Sequence, residues 1–142
     1  MDAERIRAFL LKLPHVVETM QWGANLVFWV GDKAIGGKMF ALANLDGGGK
    51  AVISYSAGAE RYAELLERDG LFPAPYMARI YWVAAENWSV FRVAEWEEEL
   101  RTAYELTFAK LPPKIRGLLA LPAAKQKRLI AERRKLLAAK RG

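Results

Sequence analysis

At 142 residues, 53% apolar and 27% charged, the chain has the size and composition of a single globular domain. Folding at this length buries roughly two-thirds of the unfolded surface, enough for one core without staples. That excludes a disordered chain, a disulfide scaffold and a large multidomain enzyme. Cysteine is absent, which removes disulfides, thiolate nucleophiles and cysteine-ligated zinc or iron–sulfur centres. The net charge of +6 is unevenly placed. Residues 1–109 hold 11 Lys+Arg against 15 Asp+Glu, or −4, and residues 110–142 hold 11 against the single acid Glu132, or +10. The pI of about 9.7 therefore describes the tail, while the body is mildly acidic. The acidic opening Met1-Asp2-Ala3-Glu4 is unlike a signal peptide, and apolar runs such as residues 26–30 are too short to span a bilayer. A cytoplasmic protein is expected.

In chain order, Asp2 is an N-cap for a helix over residues 3–13, with Ile6, Phe9, Leu10 and Leu13 at helical spacing and Pro14 as its stop. Residues 15–23 read as a connection. Residues 26–30 form an apolar, β-rich strand closed by Gly31-Asp32. Residues 34–45 read as a second strand, in which Gly36-Gly37 signals a bulge or a close backbone approach. Asp46-Gly47-Gly48-Gly49 is a turn, and residues 51–56 are a third strand. Ser56 can cap a helix over 57–69, with Gly70 at its C′ position. Two prolines keep residues 71–76 out of regular structure. Residues 78–85 form a fourth strand with Ile80, Trp82 and Ala84 on one side, and residues 88–93 a short fifth strand or a turn. From about Glu95 to Leu111 the pattern is helical, and Glu97-Glu98-Glu99 in its first turn suits the helix dipole. Pro113 and Pro122 start two further helices, the last over 123–141.

The order α-β-β-β-α-β(-β)-α, joined by hairpins, predicts an α+β fold: two layers, an antiparallel sheet of four to five strands with helices on one face, plus a helical tail. Over roughly residues 3–121 the sequence resembles the MmcQ/YjbR family. The segments that carry the resemblance are Met20-Gln21-Trp22-Gly23, Lys38-Met39-Phe40-Ala41, Ile53-Ser54-Tyr55, Tyr62-Ala63-Glu64-Leu65-Leu66, Phe72-Pro73-Ala74-Pro75-Tyr76-Met77-Ala78, Tyr81-Trp82-Val83, and Ala103-Tyr104 leading to Leu111-Pro112. The resemblance implies a small domain of the two-layer shape seen in secretion chaperones and CyaY-like proteins. It also implies the DNA-binding label its members often carry, and it brings no catalytic motif. The domain is expected at 1–121, with a basic helical tail at 122–142.

No catalytic constellation stands out. His15 is the lone histidine, with Glu18 as its nearest possible partner for base chemistry. Gly47-Gly48-Gly49-Lys50 lacks the context of a phosphate loop, because Lys50 leads into another strand. No metal site or cofactor is expected. Lys33, Lys38 and Arg79, near Tyr81, lie on or beside strands where they could meet nucleic acid. Phe72, Pro73, Pro75 and Tyr76 could line an interaction groove or cover a sheet edge. The tail carries Lys125, Lys127, Arg128, Arg133, Arg134, Lys135, Lys140 and Arg141, a basic rod attractive to phosphate. It could equally dock Leu129, Ile130, Leu136 and Leu137 on its own domain or on a second copy. The expected function is a non-catalytic module that binds DNA with low sequence specificity through the basic C-terminal helix. The alternative is a protein- or peptide-interaction module, chaperone-like, using residues 72–76 and the sheet face. No membrane partner is expected.

Overall fold

The computed structural model describes residues 1–46 and 49–141, the side chain of Arg141 excepted. The chain opens with α1 (Ala3–Leu10), where Asp2 accepts the Arg5 N–H at 2.8 Å and Ile6 and Leu10 point into the core one turn apart. Four strands follow: β1 (Val16–Gln21), β2 (Asn25–Val30), β3 (Lys38–Asn44) and β4 (Ile53–Ser56). Next come α2 (Ala59–Leu65), the short β5 (Leu71–Pro73) and β6 (Trp82–Ala85). The helices α3 (Val93–Lys110), α4 (Pro113–Leu119) and α5 (Ala123–Arg141) complete the chain. The sheet order is β1-β2-β3-β4-β6-β5, and every pairing is antiparallel. The expected α+β class stands, with six strands in place of four to five.

Residues 15–23 are not a connection. Val16 to Gln21 pair with Val30 to Asn25 as an edge strand. Both faces of β1 are partly exposed, so its sequence lacks the apolar alternation that marks a strand with one dry face. Residues 71–73 are also a strand, and its one proline, Pro73, is tolerated because β5 is the opposite edge. Of the two readings of 88–93, strand or turn, the turn holds: Trp88–Val90 is a single 3-10 turn capped by Asn87, which accepts the Ser89 N–H at 2.9 Å. The strands expected from Ala34 and Ala78 open with 3-10 turns at Lys33–Ile35 and Ala78–Ile80. Ile80 is consequently exposed rather than aligned with Trp82 and Ala84. Ser56 stays in the sheet opposite Trp82, and Gly58 is the residue before α2. Gly47 and Gly48 of the expected turn lie outside the described residues.

All five helices are on one side of the sheet or at its end. Phe28, Val30, Ile53, Tyr55 and Val83 meet Ile6, Leu10, Trp96, Leu100 and Ala103 in the main core. The pairing of β2 with β3 slips between Phe28↔Ala41 and Trp29↔Met39, which leaves Phe40 as an extra residue. The bulge puts Phe40 and Ala41 on the same face, and the buried Phe40 ring meets Tyr104 edge-on at 5.8 Å. The close backbone approach signalled by Gly36-Gly37 is real. A Cβ at Gly37 would collide with the Gly31 carbonyl, and one at Gly36 (φ 95°) would strike Ile115 of α4.

The tail is docked. Leu129 and Ile130 pack on the main core, and Arg134 reaches Asp32. Gln126 Nε2 donates to the Leu119 and Leu121 carbonyls at 2.9 and 2.7 Å, satisfying groups left open at the end of α4. Among the described residues no helix is long and apolar enough to cross a membrane.

Candidate recognition groove on the open face of the sheet

The face of the sheet turned away from the helices is built from Val27, Trp29, Leu42, Ser54, Trp82 and Ala84, the alternate positions of four strands. Trp82 and Ala84 join Ala74 in a second, smaller core, with Met39, Leu42, Phe72 and Met77 packed against it. Above this floor is a cavity of about 680 Å³. Three connections wall it: the β1–β2 turn with Trp22, the β3–β4 connection with Lys50 and Ala51, and the segment Pro75-Tyr76-Met77. The volume falls within the range that holds a small ligand.

Two of the walls are unusual. Trp22 is 65% exposed and Tyr76 fully so, in a chain that buries most of its large aromatics. Both have left-handed backbones, at φ 49° and 66°. Only four non-glycine residues among those described do so, the others being His15 and Tyr81. For a bulky side chain that conformation costs of order 1–3 kcal/mol, and neither residue recovers the cost by burying its ring. Asn25 Nδ2 helps to hold the first turn by donating to the Trp22 carbonyl at 2.7 Å. Asn25 and Asn44 are direct cross-strand partners, so their amides lie side by side on the cavity wall. Asn44 Oδ1 accepts the Asp46 N–H at 3.2 Å. Among the described residues, Asn25 Oδ1 and Asn44 Nδ2 have no further side-chain partner. Among the described lining residues, Lys50 is the sole charge, and no carboxylate faces it.

The residues singled out from the sequence scatter. Pro75 and Tyr76 line the cavity, Phe72 packs beneath it with Trp82, and Pro73 is the exposed end of β5. Lys33 is in the 3-10 turn with its ammonium 5.8 Å from the Trp29 ring centre. Lys38 opens β3 opposite Val30, and Arg79 is in the 3-10 turn before β6. On α5, Lys125, Lys127, Arg128, Arg133 and Lys135 are exposed, whereas Arg134 is tied to Asp32. Sequence reasoning missed Trp22, Asn25, Asn44 and Lys50 as members of one site. The available signals were a tryptophan immediately before a turn glycine and a lysine immediately after a glycine run.

A second cavity, about 570 Å³, opens between α2 and α3; its two arginines are engaged by Glu99 and Glu95, and Glu64 and Glu98 also line it. Arg61 grips both oxygens of the buried Glu99, at 3.0 and 2.5 Å, and the Tyr55 hydroxyl donates to Glu99 at 3.4 Å. Burial, reinforced by the Glu99 charge, pushes the Tyr55 phenol far above its ordinary range. It is therefore a fixed donor and no base. Arg68 pairs with Glu95 at 3.7 Å. Glu18, the nearest possible partner of His15 in the sequence, is held by two bonds from Arg7, and His15 stacks on Phe108 at 6.4 Å. No group of three or more His, Asp or Glu suited to a metal occurs among the described residues.

Fold and groove together define a two-layer α+β domain with its helices on one face and an open, aromatic-walled cavity on the other. The chain belongs to the YjbR family, whose model matches residues 11–106. That span contains every groove residue and none of α5. The fold is similar to the crystal structure of the Deinococcus radiodurans protein DR2400, family-model domain DUF419. The TM-score is 0.70 at 24% identity, over 85% of this chain and 89% of that one. No curated protein matches the chain.

Proposed function

We propose that this protein is a non-catalytic recognition module that binds its ligand in the groove on the open face of the sheet. One observation carries the reading: three of the four strained non-glycine residues among those described are exposed aromatics, and two of them, Trp22 and Tyr76, wall the same cavity. Strain without compensating burial is retained where binding uses it. The floor of methionine and leucine adapts to an inserted ring, and residues 75–77 contribute one wall. None of the strained residues lines the cavity between α2 and α3, so it carries no such mark. The test is to titrate the full chain with a library of small aromatic fragments and follow backbone amide shifts by NMR. Hits should concentrate at Trp22, Asn25, Ala51 and Tyr76. Hits confined to other surfaces, or a library with none, would remove the reading.

A second reading has its own observation. Docking of α5 through Leu129, Ile130 and Arg134 leaves Lys125, Lys127, Arg128, Arg133 and Lys135 exposed on a fixed helix. Such an array is suited to sequence-independent attraction to DNA phosphates. The check is fluorescence anisotropy with a mixed-sequence duplex across a salt series. Charge-neutral variants at Lys125, Lys127, Arg128 and Lys135 should weaken binding and lower the salt slope by about 0.9 for each phosphate no longer neutralised. Absent or salt-independent binding ends this reading.

A further inference from the structure

We propose that the groove takes a planar heteroaromatic ring carrying an anionic group, of about the size of a mononucleotide. This deepens the groove reading and rests on it. The argument follows from what each wall offers. Trp22 and Tyr76 present exposed aromatic faces, which bind best to another flat π-system and are of little use to an aliphatic chain. The paired amides of Asn25 and Asn44 present an acceptor and a donor side by side. That combination matches the edge of a nitrogen heterocycle that has a donor next to an acceptor. Lys50 supplies one positive charge at the rim, opposed by no carboxylate among the described lining residues. A cationic ligand would face Lys50 uncompensated, and a neutral one would leave it unused. Met39, Leu42 and Met77 close the floor beneath the ring.

The experiment measures binding to the full chain by calorimetry. The probes are the four common ribonucleoside 5′-monophosphates, their parent nucleosides and ribose 5-phosphate. At least one monophosphate should bind ten-fold or more tightly than its nucleoside, and ribose 5-phosphate should not bind. Lys50→Gln should remove most of that ten-fold advantage while leaving nucleoside affinity unchanged. Asn44→Ala should weaken ring and nucleotide alike, and Trp22→Ala should abolish both. All three positions are at the surface or on the cavity wall, so an unchanged thermal midpoint confirms that each variant is folded. Equal affinity for nucleotide and nucleoside overturns the anion assignment. Failure of the whole panel, while aromatic fragments still shift the Trp22 and Tyr76 amides, overturns the ligand class and spares the groove. Binding that survives Trp22→Ala overturns both.

Discussion

Tyr76 shows most plainly that a residue can be retained against stability. Its ring is fully exposed and its backbone is at φ 66°, a region glycine occupies freely. Tyr76→Gly should leave stability unchanged or raise it by up to about 1 kcal/mol in urea unfolding, while fragment binding at the groove is lost. A clear destabilisation would mean that the ring is structural. Glu99 is the opposite case, since it ties α2, α3 and β4 together through Arg61 and Tyr55. Glu99→Ala should cost about 2–3 kcal/mol, below the value for a fully buried pair because the Arg61 side chain is 38% exposed. The Tyr55 phenol adds an alkaline signature. Its folded value is raised, so its contribution is complete below the ordinary tyrosine range near pH ~10 and is lost as pH climbs beyond it. Tyr55→Phe should flatten the alkaline limb of a stability–pH curve.

At the scale of elements, glycines and caps decide where helices can sit. The seat of α4 depends on Gly36, where any side chain would meet Ile115 on a backbone at φ 95°. Gly36→Ala should cost about 1–2 kcal/mol and loosen α4 in hydrogen exchange. At the start of α3, Glu95 reaches back to accept the Arg92 N–H at 3.1 Å, and that bond holds its carboxyl below the usual range. Its folded value is depressed. Its stabilisation is therefore present above the unfolded carboxylate pKa of ~4.3 and disappears as pH falls through the lower folded value. Glu95→Gln should flatten the acid limb. Helices announced themselves through Asp2, Pro112-Pro113 and the 3.6-residue period. The two edge strands did not, because β1 is partly exposed on both faces and does not alternate, and β5 is only three residues long and carries a proline. The 3-10 turns at Lys33–Ile35 and Ala78–Ile80 were hidden by β-compatible residues whose conformation is set by neighbouring chain.

For the whole molecule, the decisive contact is between tail and body. The charge split of −4 and +10 suggests two independent parts, yet Leu129 and Ile130 complete the main core and Arg134 meets Asp32. Ile130→Asp should release α5, detected as rapid trypsin cleavage in the tail while the body resists. A tail cut no faster than in the parent would show that docking does not depend on this residue. The sequence by itself determined the α+β class, the family resemblance, the main helices and the separation of charge, because periodicity, prolines and charge counts are local properties. For Phe72, Pro73, Pro75 and Tyr76 it left an interaction groove and an edge cover both open. Only the tertiary structure decided that Trp22, Asn25, Asn44, Lys50 and Tyr76 share one cavity. They come from three connections and the ends of two strands, separated by up to 54 residues of chain, and only the antiparallel register, the β3 bulge and the covering 74–77 segment bring them to one face. It likewise decided which tail residues are free, since a side chain's partner across the fold leaves no trace in its own neighbourhood of sequence.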